Sequence, residues 1–358
     1  MPRIKTVPTS ASEGSPVLRH SRQKKSGRIL RGIGRWVGRV FALIGTFLLI
    51  FALFVVGVVC VICKGPSRAA SEVFVNSVME SSAAKFIAYV FYSEEEVEAI
   101  LAKYSVVETE EVTLPDTTFD PLPEEEKGDI IVEEVHGATF RGKMMIVRDP
   151  SRVVVGALEA YDGRPGKRTE EFCADAGAVA GVNGGGFEDE GGQGDGSLPI
   201  GIVIHDSQLL YEKWEEVPLV VGFDQNDVLV VGKMTGQQAL DRGLRDALSF
   251  GPALIINGKM QNISGTGGGL NPRTAIGQRA DGAVLLLVID GRHANSMGAT
   301  PKDCARIMWE YGAVNAANLD GGFSSIMVHE GEILSTLAPF YGSRPIPDCI
   351  LVMPSSED

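Results

Sequence analysis

One apolar stretch dominates the pattern of hydrophobic and polar positions along the chain. Residues 40–63 carry no charge, and as a helix they would extend about 36 Å, enough to cross a hydrocarbon layer of ~30 Å. The N-terminal flank is the more basic one, with Arg28, Arg31, Arg35 and Arg39, and the more basic flank stays in the cytoplasm. We therefore predict a basic cytoplasmic tail at 1–39 and a single-pass signal anchor in the cell membrane at 40–63. The remaining residues would be extracytoplasmic, because the stretch is too long for the apolar region of a cleaved signal peptide.

The pattern after the anchor is helical and then irregular. Apolar residues recur at helical spacing over 66–104, and Ser93 with Glu96 forms a capping box that opens a helix at Glu94–Lys103. Residues 108–128 are acidic and contain Pro115, Pro121 and Pro123, which is typical of a linker. We predict a helical stem and linker over 64–128.

From residue 129 onwards the pattern is that of short strands. Two helices interrupt it, at Thr169–Ala176 and at 301–311, where Thr300 is the predicted N-cap and Pro301 occupies the first helical position. This indicates an α/β fold of the α+β type, a single domain of mixed β-sheet with flanking helices over 129–358, preceded by the transmembrane helix and stem. The predicted strands lie at 130–135, 144–147, 153–157, 178–182, 201–204, 219–223, 228–231, 253–256, 283–289 and 313–317.

Charge and cysteine content exclude some classes of function. The net charge is −13, and because the tail holds 10 Lys and Arg against one acid, the rest of the chain holds 23 against 45, a net −22. So acidic a body excludes nucleic acid as a partner, since phosphate contacts need a cationic surface. The spacing of Cys173, Cys304 and Cys349 fits no zinc site, so we expect small buried thiols.

Four polar segments stand out as candidate chemistry. Asn183-Gly184-Gly185 follows an apolar strand, and glycines there allow backbone N–H groups to approach an anion. Arg273, placed by Asn271-Pro272 and followed by Thr274, offers a planar fork suited to phosphate or carboxylate. The third segment is Asp290-Gly291-Arg292, at the end of the most apolar strand.

The fourth segment, residues 318–325, places a carboxylate beside hydroxyl and backbone donors. Its candidate residues are Asn318, Asp320, Gly321, Gly322, Ser324 and Ser325. The sequence around Ser324 lacks the G-x-S-x-G pattern of a hydrolase nucleophile. A catalytic Ser-His-Asp triad would need His293 or His329 as its histidine. Hydrogen bonding within the glycine turn explains Ser324 and Ser325 as well as a binding role does.

Together these segments resemble the phosphodiester glycosidase family over about residues 129–353. Gly251-Pro252, Ser296, Gly298-Ala299-Thr300 and Arg344-Pro345 extend the resemblance. The chain departs from the family pattern at Phe323, where a third glycine is usual, and at Gly186, where an aromatic residue often precedes the position of Phe187. The resemblance implies hydrolysis of a sugar-1-phosphodiester at the anomeric C–O bond.

The resemblance also implies roles for the candidate residues. Arg273 and Arg292 would hold the phosphodiester, and Asp290 and Asp320 are the two candidate catalytic carboxylates, either of which could activate water or stabilise an oxocarbenium-like centre. The substrate-binding set would include Asn183, Gly184, Gly185, Thr274, Asn318, Gly321, Gly322, Ser324 and Ser325.

The location predicts the substrate class. An anchored extracytoplasmic enzyme would act on a cell-envelope or exopolysaccharide glycan, or another glycosyl-phosphate substrate; the alternative is a non-catalytic glycan-binding or exopolysaccharide-assembly protein on the same fold. We expect no cofactor and no metal. A divalent cation on the acidic loop with Glu188, Asp189, Glu190 and Asp195 is the exception to test, although its spacing is not that of an EF-hand.

Overall fold

The chain divides into two compact units, Met1–Gly65 and Pro66–Asp358. The computed structural model describes residues 20–81, 84–106, 109–114, 119, 123–189, 192–265, 267–337 and 342–355. In the first unit the described residues form helix α1 (His20–Lys64). By length and composition, its part Trp36–Lys64 is long and apolar enough to cross a membrane.

The second unit begins with the predicted helical stem, α2 (Arg68–Met79), α3 (Phe86–Phe91) and α4 (Glu94–Lys103). The capping box of Ser93 and Glu96 is confirmed. The stem has a small core of its own, formed by Val75, Ala88, Val97 and Ile100. Since the described stem residues and the strands belong to one compact unit, the domain boundary at residue 129 stays a prediction. Of the linker prolines, Pro115 and Pro121 lie outside the described residues.

The rest of the second unit contains three antiparallel sheets, which confirms the α+β class. All pairings between the described strands are antiparallel, in place of the expected mixed sheet. The helices are α5 (Glu124–Lys127), α6 (Thr169–Ala176), α7 (Gly236–Asp241) and α8 (Pro301–Glu310). The strands are β1 (Ile130–His136), β2 (Arg141–Val147), β3 (Val153–Ala157), β4 (Ala180–Asn183), β5 (Gly201–His205), β6 (Gln208–Lys213), β7 (Leu219–Asp224), β8 (Leu229–Lys233), β9 (Leu244–Ser249), β10 (Ala253–Ile256), β11 (Lys259–Met260), β12 (Arg273–Arg279), β13 (Val284–Ile289), β14 (Ala313–Leu319), β15 (Met327–His329), β16 (Glu332–Ile333) and β17 (Asp348–Val352).

The sheet orders are β1-β2-β13-β12-β14-β10-β11, β16-β15-β4-β17-β3 and β6-β5-β9-β7-β8. Residues from all three sheets share the largest core cluster, and α8 packs its buried face on the first sheet. Thr300 caps α8 as predicted, with its hydroxyl accepting from the N–H of Asp303 at 3.1 Å. The cysteines of the second unit, Cys173, Cys304 and Cys349, are buried free thiols, as expected.

The register of the first sheet determines where the polar segments meet. Strand β12 lies between β13 and β14 and runs antiparallel to both, with Arg273 opposite Ile289 and Thr274 opposite Leu319. The start of β12 therefore lies beside the ends of β13 and β14. Arg273, Asp290 and Asp320, which come from three separate stretches of sequence, are brought to one edge of the sheet.

Candidate functional site

A cavity of about 310 Å³ opens at this sheet edge; we call it the polar cavity. Its lining combines three arginines with three carboxylates and the turn after β14. The predicted site residues that line it are Arg273, Arg292, Asn318, Asp320, Gly321, Gly322 and Ser324, and Glu80, Asp189, Phe323 and Arg344 join them.

Arg273 is a fixed, buried cation at one side of the polar cavity. Its Nε donates to the carbonyl oxygen of Ala299 at 3.1 Å, and its Nη2 donates to that of Gly269 at 2.8 Å. The same Nη2 lies 2.5 Å from the Glu80 carboxylate, which also accepts a hydrogen bond from Asn271 at 2.7 Å. The position beside Arg273 is thus built for an oxyanion, and a carboxylate of the stem occupies it.

Arg292 supplies a second cation to the polar cavity, and one of its N–H donor groups makes no hydrogen bond among the described residues. Its guanidinium lies 4.3 Å from the ring centroid of Phe323, and Nη2 donates to Asn271 at 3.1 Å. The Nη1 atom is buried and has no hydrogen-bond partner among the described residues. Burial, and then the nearby charge of Arg273, lower the pKa of Arg292, and the carboxylate of Glu80 opposes this only in part. Its backbone φ of +61° is unusual for a residue with a side chain.

Asp320 is one of the three carboxylates that line the polar cavity. Its burial raises the pKa from 3.8 to about 6, against the opposing effects of the nearby Ser324 hydroxyl and of the Gly321 N–H. That N–H donates to Oδ1 at 2.9 Å. The Asp320 backbone is held on both sides, because its N–H donates to the carbonyl oxygen of Gly184 and its carbonyl accepts from the amide of Asn183, at 3.0 and 2.6 Å. A carboxylate with a pKa near 6 can hold or accept a proton close to neutral pH.

The segment Asn183-Gly184-Gly185 lies behind the polar cavity and supports it. The Asn183 side chain is fully buried, and its Oδ1 accepts from the Thr274 hydroxyl at 2.6 Å and from the Ile326 N–H at 3.2 Å. Gly184 is required by close approach, since a Cβ there would lie 2.2 Å from Oδ1 of Asp348. These residues and Thr274 tie β4 and β12 to the Asp320 turn. They are not among the described residues that line the cavity.

The polar cavity has unsatisfied hydrogen-bonding atoms of both kinds. Asn318 Oδ1, an acceptor, and Arg292 Nη1, a donor, are buried without a hydrogen-bond partner among the described residues. Ser324 Oγ lies near enough to the Asp320 carboxylate to lower its pKa, but it too is buried without a bond of hydrogen-bonding geometry to any described residue. Ser325 Oγ is in the same condition beside the cavity. Because buried polar groups nearly always have partners, three such atoms lining one cavity indicate a polar ligand that supplies acceptors as well as a donor.

Asp290 lies at the same sheet edge, but its carboxylate binds the backbone of Thr336. Its Oδ1 accepts from the Thr336 N–H at 2.8 Å, and its carbonyl oxygen accepts from the Ser296 hydroxyl at 2.6 Å. Among the described residues it is not part of the cavity lining. His293 likewise contacts the Thr336 carbonyl oxygen at 3.3 Å, outside the lining. The catalytic role of Asp290 stays a prediction.

Three residues at the site were missed by the sequence reasoning. Glu80 is the C-cap of helix α2, and the neighbouring sequence gives no signal of a contact with β12. Arg344 lies 4.6 Å from the ring centroid of Phe187 and pairs with Asp189 at 3.0 Å; its place in the family pattern was a usable signal. Asp348 is buried, accepts from the Gly185 N–H at 2.6 Å, and burial raises its pKa to about 7. An aspartate at the start of an apolar strand was the signal for Asp348.

The acidic loop beside the site makes internal contacts. Asp189 accepts from the Gly194 N–H at 2.7 Å and pairs with Arg344, and Glu188 pairs with Lys213 at 2.6 Å. Glu190 lies outside the described residues. Within the part of the chain that the structure describes, no group of three or more His, Cys, Asp or Glu side chains forms a metal site.

Comparison with known proteins identifies the family. The family model described as phosphodiester glycosidase matches residues 176–353, which include every described lining residue of the polar cavity except Glu80 and Ser81. The chain therefore carries a domain that belongs to the phosphodiester glycosidase family.

Particular relatives are distant. The uncharacterized protein YomE of the SPbeta prophage of Bacillus subtilis is 31% identical over 150 residues, 39% of this chain and 23% of that protein, so the chain spans under a quarter of this curated relative. The catalytic domain of zebrafish N-acetylglucosamine-1-phosphodiester alpha-N-acetylglucosaminidase, auto-inhibited by its pro-peptide, shares the fold with a TM-score of 0.53 at 20% identity, covering 63% of this chain and 82% of that one. A protein of Burkholderia pseudomallei described as exported has a TM-score of 0.43 at 18% identity, covering 60% and 74%.

Proposed function

We propose that this chain hydrolyses glycosyl-1-phosphodiesters at the polar cavity. One observation carries the proposal: Arg292 Nη1, Asn318 Oδ1 and Ser324 Oγ are buried without partners around a position where Arg273 already holds an anion. A sugar phosphodiester supplies phosphate oxygens for the two arginines and hydroxyls for the amide and the serine. Family membership supports the same reaction.

The arginines bind the phosphodiester and stabilise the phosphate as it leaves. In the reaction the bond between the anomeric carbon and the bridging oxygen breaks, and its electrons stay on that oxygen. The water oxygen bonds to the anomeric carbon and loses one proton, so the products are a free sugar and a phosphate monoester. Because Arg273 and Arg292 remain charged at any physiological pH, their stabilisation of the phosphate needs no added proton on the leaving group.

Asp320 is the residue we assign to the water or to the developing cationic sugar. Its carboxylate faces the cavity, and above its pKa of about 6 it is ionised and can accept a proton. We give Asp290 a supporting role, because it is not among the described residues of the lining and its contacts with Thr336 and Ser296 position the 290–296 turn that carries Arg292.

The proposed setting is the cell envelope. A helix that is long and apolar enough to cross a membrane precedes the catalytic unit in this chain, and the excess of basic residues before it supports an N-terminus inside the cell. With that orientation the substrate is a cell-envelope or exopolysaccharide glycan bearing a glycosyl phosphate.

The stem regulates this activity in our proposal. Glu80 places a carboxylate on Arg273 and Asn271, where the phosphodiester would bind. Ser77 fixes the helix end, because its hydroxyl accepts from the Leu270 N–H at 2.8 Å. The substrate must displace Glu80 to bind. The pro-peptide of the zebrafish enzyme, which inhibits that protein, supports an inhibitory role for a preceding segment.

The test is turnover by the full chain with and without this carboxylate. The purified protein in lipid nanodiscs is assayed against α- and β-linked N-acetylglucosamine-1-phosphate and glucose-1-phosphate methyl diesters. We expect Glu80→Gln to raise kcat/KM at least 5-fold, mostly through KM, because the amide keeps the shape and loses the attraction to Arg273. Glu110→Gln, in the linker, is the control and should change nothing.

Two outcomes would contradict the proposal. If neither protein releases free sugar from any diester while both bind sugar phosphates, the chain is a glycan-binding protein on this fold. If wild type and Glu80→Gln hydrolyse equally well, the stem carboxylate is not inhibitory.

A further inference from the structure

A second and larger cavity adjoins the polar cavity. Its volume is about 960 Å³, at the upper end of the 300–1,000 Å³ that small-molecule sites occupy. We call it the apolar cavity and define it by Ile200, Trp214, Val217, Leu219 and Phe250, with prolines 199, 218 and 252. Nothing in the reaction at the polar cavity makes use of it.

The two cavities share a wall. Phe250, Gly251 and Pro252 line both of them. This wall is tied to the site, because the amide of Asn318 donates to the carbonyl oxygen of Gly251 and the N–H of Asn318 donates to that of Pro252, at 3.5 and 3.0 Å. A ligand bound at the polar cavity and extending past Pro252 would therefore enter the apolar cavity.

Apart from Glu215 and Glu216, which are exposed to solvent, the described polar side chains around the apolar cavity already have partners. Ser249 Oγ accepts from the Ile202 N–H at 3.0 Å, and Trp214 Nε1 donates to Glu212 at 2.9 Å. Gln261 donates to the Lys259 carbonyl oxygen at 3.2 Å, and Lys213 pairs with Glu188. The polar cavity has the opposite property, with three buried atoms that lack partners. The apolar cavity is thus suited to a ligand that brings few hydrogen bonds.

Its mouth exposes large apolar side chains. Ile200 is 54% exposed, Val217 38% and Trp214 37%. Exposed apolar clusters of this kind mark binding sites more often than chance. An oligosaccharide can stack sugar faces on Trp214 and Phe250, but it would leave the aliphatic side chains of Ile200, Val217 and Leu219 without a matching apolar surface.

We infer that the apolar cavity binds an alkyl or prenyl chain esterified to the phosphate of the substrate. The inference rests on the proposed function and names its substrate class, a lipid-linked glycosyl phosphodiester. Water would then release the free sugar and leave the lipid monophosphate, its phosphate on the arginines and its chain in the apolar cavity. The candidate membrane-spanning helix of the same chain supports such a substrate, because lipid-linked sugars reside in a bilayer.

The experiment measures binding without hydrolysis. The full chain carrying Glu80→Gln, in nanodiscs, is titrated calorimetrically with methyl, butyl and octyl phosphate, and empty nanodiscs give the background partitioning. A buried methylene contributes about fourfold in affinity, from ~0.8 kcal/mol each. We expect octyl phosphate to bind at least 100-fold more tightly than methyl phosphate.

Two matched variants show where the alkyl chain binds. Val217→Glu should reduce octyl phosphate affinity at least 10-fold and leave methyl phosphate unchanged. Ile333→Glu is the control, because Ile333 is also β-branched and is 39% exposed on the β16 edge, outside the apolar cavity. It should change neither affinity.

Several results would overturn the inference. Equal affinity for methyl and octyl phosphate would show that the protein does not bind the alkyl chain. An unchanged preference for octyl phosphate in Val217→Glu would show that the alkyl chain lies in the bilayer and not in the apolar cavity. Tighter binding of a soluble phospho-oligosaccharide than of octyl phosphate would make the cavity a glycan site. A Val217-dependent preference for octyl phosphate without hydrolysis of any diester would keep the lipid site and refute the proposed reaction.

Discussion

Asp290 and Asp320 follow the ends of two strands that flank β12, at one edge of one sheet, and they have different surroundings. Asp320 is enclosed at the polar cavity, and burial raises its pKa to about 6. Asp290 turns away and accepts a backbone hydrogen bond from Thr336 at 2.8 Å. An aspartate followed by glycine is thus found in two different environments, and the difference comes from what surrounds the carboxylate.

The difference arises from the turns that follow each strand. After Asp320, Gly321 lies against the backbone, where a Cβ would be 2.8 Å from the Pro272 carbonyl oxygen, and Gly322 has a φ of +64°. This tight turn keeps the carboxylate over the cavity. After Asp290, Arg292 adopts the left-handed backbone and extends into the cavity in place of the carboxylate. One turn therefore presents a carboxylate to the cavity and the other a guanidinium cation.

The largest expected effect is that of Asp320→Asn. Removing the charge that accepts a proton should reduce kcat about 10³-fold or more, while binding of sugar phosphates stays within 3-fold. Kinetics and calorimetry on the full chain, with Asp290→Asn as the matched control, measure both. Turnover at the wild-type level in Asp320→Asn would remove this residue from the mechanism.

The same variant should be more stable at alkaline pH. The folded-state pKa of Asp320, about 6, lies above its ordinary 3.8, so ionisation in the folded protein costs stability as pH rises from about 4 through 6. At pH 8 that cost is about 3 kcal/mol. Asn avoids it and still accepts from the Gly321 N–H, so Asp320→Asn should melt several degrees above wild type at pH 8 and about equally at pH 4. A lower melting temperature at pH 8 would make Asp320 a structural residue.

Arg273→Lys should have an intermediate effect. Lysine keeps the charge and loses the fork that bonds the carbonyl oxygens of Ala299 and Gly269 while facing the anion. We expect KM for a methyl diester to rise about 10-fold or more, with a smaller change in kcat. Arg279→Lys, at the other end of β12, is the control and should be neutral. Equal effects of the two variants would mean that Arg273 does not contact the phosphate.

Asp290→Asn should have the smallest effect. Asn can accept the same hydrogen bond from Thr336, so kcat/KM should fall less than about 5-fold, with no change in its pH dependence. A loss as large as that of Asp320→Asn would make Asp290 a second catalytic carboxylate and erase the contrast between the two turns.

Much of the fold was predictable from local sequence. The helices at 169–176 and from 301, with Thr300 as N-cap, and the strands at 153–157 and 253–256 agree with the structure, because strong local signals determine them. Strands β9 and β17 were missed, since Arg245, Asp246 and Asp348 interrupt their apolar pattern at the strand starts. The antiparallel pairing of three sheets depends on contacts between distant segments, which no local pattern encodes.

The site was predictable in content and less so in geometry. Arg273, Arg292 and Asp320 line the polar cavity, because Pro272 fixes the backbone before Arg273 and glycines permit the tight turns beside Arg292 and Asp320. Asn183, Gly184, Gly185 and Thr274 lie behind it instead, where their hydrogen bonds position the Asp320 turn. Glu80 could not be found from sequence, since its contact with Arg273 joins segments that are 193 residues apart.

The most direct test of the account is to locate the oxygen added from water. The full chain carrying Glu80→Gln hydrolyses an N-acetylglucosamine-1-phosphate diester in H₂¹⁸O, and mass spectrometry examines both products, with Asp320→Asn in the same background as the inactive comparison. We predict that the label appears in the free sugar, at the anomeric hydroxyl, and that Asp320→Asn gives almost no product. Label in the phosphate monoester would contradict the account, because it would mean that water attacks phosphorus and that the chain is a phosphodiesterase.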